Sequence, residues 1–368
     1  MSTSKTRNVS FDYLRILAIF LIVMHHTYFT LKGRNTDHES FSYLCMMLLG
    51  SGGKVGVNLF ALITGYFMWN KDWSAKRVLS FVFQTIVVAW IIVVLNLVFF
   101  DVHFSDIWSL MIPIFPIQGM PWWYLTAYFI VLLLSPFVNR LINSLDFKQS
   151  CWFVCVLLAL TSILPFLHFQ TLLVLPSSGT GASWLLVMYI VGTFLGRFKD
   201  RFKWSQPKII ALLGVTLLFQ ASLFCLILLQ HKLGGIVERL VSLFGWGENM
   251  VWTDYNPLLL LISILLFALA MRFHVTKMPK ILALVSQQTL LVYMFHVGSP
   301  MAWQIRGHIY KGYSAAMDWM TTIIIVLADS LFIWIIFTVI SFVLAPLVNK
   351  TSDKATNVLV KILPENLK

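Results

Sequence analysis

Four ionisable side chains lie in the first apolar stretch of the chain, residues 11–29 (FDYLRILAIFLIVMHHTYF). They are Asp12, Arg15, His25 and His26. A charged side chain at the centre of a membrane helix costs about 2.5–3.5 kcal/mol on insertion scales, so such residues tend to mark functional sites. Histidine is also the side chain whose ordinary pKa suits proton transfer near neutral pH. The residue types therefore indicate acid–base chemistry within a membrane span.

The spacing of these residues defines one helical face. Arg15 and His26 are eleven residues apart, which returns the helix to within about 20° of the same face and separates the two side chains by about 16 Å along the axis. Asp12 precedes Arg15 by three residues, so the two can pair on the helix surface. His25 points about 100° away from His26.

A purely structural interpretation of the same residues is also open. Arg15 lies near the start of the span, where a long side chain can reach the headgroups. A histidine near the other end can sit at the interface without a function. The spacing alone does not separate this interpretation from a functional pair of Arg15 and His26.

A second intramembrane histidine, His296, ends the apolar run 290–296. With the topology given below, His296 and His26 both fall in the outer third of the membrane, so we expect them to line one cavity. The sequence shows no H-E-x-x-H motif, no Ser-His-Asp pattern and no cysteine nucleophile. This favours acid–base chemistry on a hydroxyl over metal-dependent hydrolysis, and no metal is expected. A lone His296 is more often a satisfied polar group; the pair favours a function.

The composition is that of a polytopic membrane protein. Of 368 residues, 59% are hydrophobic and 11% are charged, with a mean hydropathy of +0.82. We predict an all-α membrane bundle forming one domain over residues 1–368, with no appended soluble domain. The net charge of +12 is explained by membrane topology, so nucleic acid is not an expected partner.

The hydropathy pattern predicts ten membrane spans. They cover roughly residues 11–31, 55–69 (with an upstream extension over 42–50), 78–100, 122–143, 151–168, 183–197, 208–230, 257–271, 281–300 and 320–348. With the N-terminus inside, 19 Lys and Arg residues fall on the inner side and seven on the outer side. This positive-inside bias predicts that both termini are cytoplasmic.

Two outer segments carry features of interest. The glycine cluster at 50–56 is predicted to be a flexible turn, and close backbone approach to a ligand is the alternative. The segment 101–121 is too rich in proline to span the membrane and is expected at the outer interface. It leads into Trp122 and Trp123, which are typical of the aromatic belt but can also stack on a sugar.

Four ordered motifs resemble those of the acyltransferase 3 family, integral membrane enzymes that O-acylate cell-envelope and exported glycans. The opening motif is matched by Asp12, Arg15 and His26, and the second, loosely, by residues 56–66. The third appears at 123–128 (WYLTAY) and the fourth at 291–296 (LVYMFH).

The chain departs from the family pattern at two positions of the second motif. Thr64 stands where the family has serine, and Ala61 where it has an aromatic residue. The basic pair that follows the second span is matched only in part, by Lys76 and Arg77. The resemblance implies a role in cofactor entry for this basic pair, and in this chain that role rests on an incomplete match.

The resemblance implies a membrane O-acyltransferase. An acyl group, expected to be acetyl, would pass from acyl-CoA on the cytoplasmic side to a hydroxyl of an envelope glycan. Arg15, oriented by Asp12, would hold the cofactor together with Lys76 and Arg77, and His26 would serve as general base or acyl carrier. His296 would complete the catalytic set, and the acceptor side would be formed by Trp123, Tyr124 and Tyr293. The pantetheine arm is on the order of 15–20 Å long, which is comparable to the rise between Arg15 and His26.

Other functions remain open from the sequence. A transporter or flippase for a small solute or lipid-linked sugar would use the buried Arg and His as a substrate or proton path. A membrane sensor is a third class, although no soluble domain is visible to serve it. The expected partners of the acyltransferase are acyl-CoA, a glycan acceptor, membrane lipids and a separate protein that could complete the transfer. Its expected location is the plasma membrane of a bacterium.

Overall fold

The computed structural model is all-α, as the sequence predicts. It describes residues 9–32, 37–99, 114–118, 122–167, 181–248, 252–273, 275–298, 304–307 and 317–364. In chain order the longer helices are α1 Ser10–Lys32, α2 Phe41–Met68, α3 Ala75–Phe99, α4 Trp123–Ser144, α5 Phe147–Phe166 (with a π turn at Ala159–Ile163), α6 Ala182–Arg197, α7 Gln206–Leu233, α8 Gly235–Leu243, α9 Pro257–Arg272, α10 Lys280–Gln287, α11 Thr289–Gly298 and α12 Trp319–Ile362.

Helices occupy all ten positions at which a span is predicted. Within the described ranges, seven are long and apolar enough to cross a membrane, and the pair α10–α11 makes an eighth if it is counted as one bent span. The other two, α6 and α9, have 16 residues each. At 1.5 Å per residue each is about 24 Å long, somewhat shorter than a typical hydrocarbon core. The polytopic architecture is confirmed, and the orientation of the termini stays a prediction.

The predicted turn at residues 50–56 is wrong. Residues 41–68 form one continuous helix of 28 residues, and the glycine cluster lies inside it. Glycine disfavours an isolated helix by about 1 kcal/mol, which is why the sequence suggested a break. In the folded protein, close packing against α1 outweighs that propensity. The predicted interfacial segment 101–121 lies mostly outside the described residues.

The glycines of α2 bring its backbone against α1. A Cβ built on Gly53 would lie 2.3 Å from the Cβ of His25, and one built on Gly56 would lie 2.5 Å from the carbonyl oxygen of Ala18. No larger residue fits at these two positions without moving α1. Small residues at helix contacts are the usual means of close packing in membranes, where lipid competes with apolar side chains. This contact, the α1–α2 glycine seam, sets the position of His25 and His26.

A second glycine contact joins α2 to α6. A Cβ on Gly65 would lie 2.2 Å from the carbonyl oxygen of Tyr189, and one on Gly192 would lie 2.4 Å from that of Leu62. The two helices therefore meet at backbone distance from both sides. As a result α2 is fixed between α1 and α6 and forms the central helix of the bundle.

Side chains bind the backbone at the ends of two of these helices. The Asn139 side-chain amide donates to the carbonyls of Met68 (2.7 Å) and Lys71 (2.9 Å), at and just beyond the end of α2. Arg197 donates to the carbonyl of Leu145 at the end of α4 at 2.6 Å, and also to that of Ile142. Such contacts satisfy carbonyls that have no partner within their own helix.

Three of the predicted spans differ in shape from a simple helix. The fifth contains a π turn over Ala159–Ile163. The ninth is broken at Gln288, where α10 and α11 meet at an angle of 55°. The last helix, α12, continues for 44 residues to Ile362 and passes through Pro346, well beyond the predicted end at residue 348.

Candidate active site

A cavity of about 500 Å³ lies between α1, α2, α3, α4 and the start of α11. It contacts both ends of the predicted Arg15–His26 face. Further residues of its wall include Lys54, Arg77 and Trp123. The predicted face of α1 thus forms part of the cavity wall, with Arg15 and His26 about 16 Å apart along the helix.

His26 and His296 lie side by side, but the prediction that both line one cavity is wrong, because His296 is not part of the cavity wall. The distance from His26 Nδ1 to His296 Nε2 is 3.0 Å. His296 is fully buried at the inner face of α11, whereas His26 is partly accessible and borders the cavity. The two histidines therefore differ in position: one faces the cavity and the other stands behind it.

The hydrogen bonds assign the tautomer of both rings in their neutral state. His296 Nδ1 lies 2.8 Å from the carbonyl oxygen of Val292, which can only accept, so Nδ1 carries the proton. His296 Nε2 is then an acceptor and receives the Nδ1 proton of His26. The Nε2 of His26 is left with its lone pair and has no hydrogen-bond partner in the described part of the chain. An unprotonated imidazole nitrogen at the cavity wall can act as a base or as a nucleophile.

Arg306 fixes the helix that carries His296. Its side chain is 1% exposed, and its guanidinium donates to the backbone carbonyl of His296. That carbonyl belongs to the last turn of α11, where a cation also interacts favourably with the helix dipole. Sequence reasoning placed Arg306 in an outer connection and missed this contact, because nothing local marks an arginine as buried.

The opposite end of the cavity is cationic. Arg15 donates to Asp12 at 2.7 Å, so the predicted pair is present, and Asp12 is 2% exposed. The Arg15 guanidinium also lies over the ring of Phe67, 5.6 Å from its centroid. Arg77 borders the same end, whereas Lys76 is exposed and is not part of the wall. Two guanidinium groups, those of Arg15 and Arg77, thus border this end of the cavity.

Aromatic rings surround the cavity between its two ends. Tyr124 stacks on Tyr128 with centroids 6.0 Å apart and meets Tyr293 edge-on at 5.6 Å. Phe60 and Phe81 contact these rings at 6.5 and 5.0 Å. We call these five residues the aromatic collar. Tyr124 and Tyr293, predicted on the acceptor side, are therefore wall residues between the two ends.

The start of α4 is anchored beside His296. The Trp122 indole donates to the carbonyl of Met294 at 3.1 Å, and a Cβ on Gly298 would collide with the same indole at 2.1 Å. This contact directs the next residue, Trp123, to the cavity wall. Trp122 is 2% exposed, so its position is inside the bundle and not in an aromatic belt.

His25 makes a different set of contacts from His26, as the helical geometry predicts. Its Nδ1 lies 2.7 Å from the carbonyl oxygen of Gly50. Its ring packs between Phe29 and Trp252 at 4.8 and 5.6 Å. The ring also borders the cavity, but its hydrogen bond serves the α1–α2 contact.

Sequence reasoning missed a buried ion pair at the His26 end. Lys54 Nζ lies 3.2 Å from Asp254 Oδ1, and the two side chains are 11% and 0% exposed. Both residues were assigned to outer connections, since Lys54 follows the glycine cluster and Asp254 precedes a predicted span. The only feature of the sequence that could have indicated this ion pair is a lysine, Lys54, within an otherwise apolar stretch.

The chain matches the model of the acyltransferase domain family over residues 8–350. The chain belongs to the acyltransferase 3 family. Neither the curated proteins nor the solved structures gave a match. The matched range contains every candidate site residue named above, from Asp12 in α1 to Arg306.

Membership of the acyltransferase 3 family implies an acyl donor and an acceptor. Nowhere in the described ranges do three His, Cys, Asp or Glu side chains come together as metal ligands do.

Proposed function

We propose that this membrane acyltransferase moves an acyl group, acetyl in the first instance, from acyl-CoA to a hydroxyl of a cell-envelope polysaccharide. The observation that carries the proposal is the free Nε2 of His26 at one end of a cavity whose other end holds Arg15 and Arg77. The family match favours this reaction class over a transporter.

The donor is proposed to enter at the arginine end. The guanidinium groups of Arg15 and Arg77 can form charge-assisted hydrogen bonds to the phosphates of CoA. The pantetheine arm, on the order of 15–20 Å long, would then pass the aromatic collar and bring the thioester to His26. With both termini in the cytoplasm, as the charge bias predicts, the arginine end faces the cytoplasm where acyl-CoA is found.

The acceptor is proposed to enter at the histidine end. His26 Nε2 takes the proton of the attacking hydroxyl, while His296 holds the ring by accepting from Nδ1. Trp123 borders the same space and offers an aromatic face on which a sugar ring can stack. We propose accordingly that the enzyme lies in the plasma membrane of a bacterium and that its acylated product is part of the cell envelope.

The same Nε2 atom could instead attack the thioester and carry the acyl group as an acyl-imidazole. The two routes differ in one observable. A carrier accumulates labelled acyl-enzyme when [¹⁴C]acetyl-CoA is supplied without an acceptor, whereas a general base does not.

The function is tested in two ways. Purified full-length protein in lipid nanodiscs should release CoA from acetyl-CoA, measured by thiol titration, and the His26→Gln variant should not. In the source cells, deletion of the gene should remove an O-acetyl signal from the proton NMR spectrum of the envelope glycans, and only the wild-type gene should restore it. A wild-type protein that neither binds nor turns over acyl-CoA would exclude the proposal.

A further inference from the structure

The ion pair between Lys54 and Asp254 is unusual for its location. The two charges lie inside an apolar bundle, with the Asp254 side chain fully buried. Removing two charges from water costs several kcal/mol per ion, and their attraction only partly offsets this. Charged residues at such depth generally face a cavity and mark a function. Lys54 does border the cavity, and its wall there includes His26.

The position of Lys54 relative to the histidines is fixed by the α1–α2 glycine seam. The preceding residue, Gly53, packs directly on the side chain of His25. Lys54 therefore stands at the same level of the bundle as His25 and His26. It is on the neighbouring helix, so its ammonium approaches the His26 end of the cavity from a different side.

The backbone around Asp254 is fixed by side-chain hydrogen bonds. The side-chain amide of Asn58, one turn after Lys54, lies 3.5 Å from the backbone carbonyl of Asp254. Its oxygen accepts from the Trp184 indole at 2.8 Å. Two residues beyond Asp254, Asn256 caps the start of α9 by accepting from the Leu258 amide at 2.9 Å. The ion pair and these hydrogen bonds together connect α2 with α6 and with the segment that leads into α9.

The Lys54 ammonium has more N–H donors than its contact with the Asp254 carboxylate requires. A lysine ammonium has three N–H donors. Within the described residues, the ion-pair partner of Lys54 is a single oxygen of Asp254, at 3.2 Å. A cation with remaining donors beside a proposed base is suited to bind an oxygen that gains negative charge during a reaction.

We propose that Lys54 is a further catalytic residue, whose ammonium binds the thioester carbonyl oxygen and stabilises the oxyanion formed on it. This inference rests on the proposed acyl transfer. In that step the acceptor oxygen forms a bond to the carbonyl carbon, its proton passes to His26 Nε2, and the carbonyl π electrons move onto the oxygen beside Lys54. When the intermediate collapses, the C–S bond breaks and the thiolate of CoA takes the proton from His26. Lys54 keeps its protons throughout, and Asp254 positions it.

Arg15 and Arg77 belong to the other end of the cavity. Arg15 lies about 16 Å from His26 along α1, too far to reach a carbonyl that reacts beside that histidine. The cationic groups of the wall therefore have separate roles, with two guanidinium groups binding the donor and one ammonium stabilising the reacting carbonyl. A loss of Lys54 should lower kcat, whereas a loss at the arginine end should raise KM.

The test uses the full chain in nanodiscs, with acetyl-CoA as donor, water as acceptor and CoA release as the signal. Lys54→Gln alone would leave Asp254 buried without a cation, so Lys54→Gln is combined with Asp254→Asn. The double variant should fold, bind acetyl-CoA with unchanged Kd and lose about 10²–10³-fold in kcat, the usual effect of removing one oxyanion donor. Asp254→Asn alone keeps the ammonium and should lose less.

Lys232→Gln is the matched control. Lys232 also pairs with a carboxylate, Glu39 at 2.7 Å, but the two side chains are 61% and 36% exposed. This variant should keep the wild-type kcat. A double variant with wild-type kcat, or one that changes only KM for acetyl-CoA, overturns the role of Lys54 while leaving the acyltransferase proposal intact. A wild-type protein that releases no CoA overturns both.

Discussion

The imidazoles of His26 and His296 meet at 3.0 Å although 270 residues separate them in the chain. The contact joins α1 to α11, and the Val292 carbonyl on the far side of His296 sets the direction of both N–H groups. The proton-accepting nitrogen is therefore turned towards the cavity by a chain of two hydrogen bonds.

Replacing His26 by glutamine should reduce the rate of CoA release by about 10²–10⁴-fold, the range that a general base contributes. Glutamine is polar and of similar length, so the bundle should remain folded. The matched control is His25→Gln, because the new side-chain amide can still donate to the Gly50 carbonyl. His25→Gln should stay within a few-fold of wild type. Equal losses in the two variants would contradict the assignment of His26.

Replacing His296 by phenylalanine should impair catalysis through the orientation of His26. The variant leaves His26 Nδ1 without its acceptor, and a lost buried partner costs about 1–3 kcal/mol, or about 5- to 150-fold in rate. Steady-state kinetics should show the loss in kcat, with little change in KM for acetyl-CoA. His296→Gln retains an acceptor and should recover part of the rate. A rise in KM alone would argue that His296 contacts the donor.

The two neighbouring basic residues at the start of α3 should differ in effect. Arg77 borders the cavity and Lys76 does not. Arg77→Gln should raise KM for acetyl-CoA by about 10- to 150-fold, since a hydrogen bond to a charged group contributes about 1.5–3 kcal/mol. Lys76→Gln should leave KM unchanged. The opposite pattern would place the cofactor's phosphates outside this cavity.

Glycine-to-alanine substitutions should distinguish the effect of close helix packing on stability from the effect of helix propensity. Gly65→Ala forces a methyl group against the Tyr189 carbonyl and should destabilise the protein by about 1–3 kcal/mol. Gly214→Ala is the control, because a Cβ there meets nothing within 4 Å. It should be neutral or stabilising by up to about 1 kcal/mol, since alanine favours the helix. Thermal unfolding in detergent measures both, and a similar decrease in the two variants would contradict the α2–α6 contact.

The face of α1 could be predicted from the sequence because a single helix fixes it. The pairing of Asp12 with Arg15 and the shared side of Arg15 and His26 follow from 3.6 residues per turn. The proximity of His26 and His296 was expected because both lie at a similar depth in the predicted membrane topology. That topology was inferred from hydropathy and from the charge bias. These predictions depend on local periodicity and on membrane depth.

The ion pair of Lys54 with Asp254 and the burial of Arg306 could not be predicted in this way. Each depends on how helices distant in sequence pack, and glycine in α2 misled the prediction of its local structure. A run of small residues suggests a turn from propensity but permits close packing in a bundle. For the same reason Lys54, which lines the cavity, was predicted to lie in a loop.

The α1–α2 glycine seam also has a mechanical consequence. Helices held at backbone distance interlock and cannot slide past each other without clashes at Gly53 and Gly56. The wall that carries Arg15, His26 and Lys54 therefore behaves as a stiff frame. We therefore expect any opening that admits or releases a substrate to come from the opposite wall, where α3, α4 and α11 present rotatable aromatic side chains instead of backbone. The proposed chemistry would then lie on the rigid half of the molecule and the passage of substrates on the compliant half.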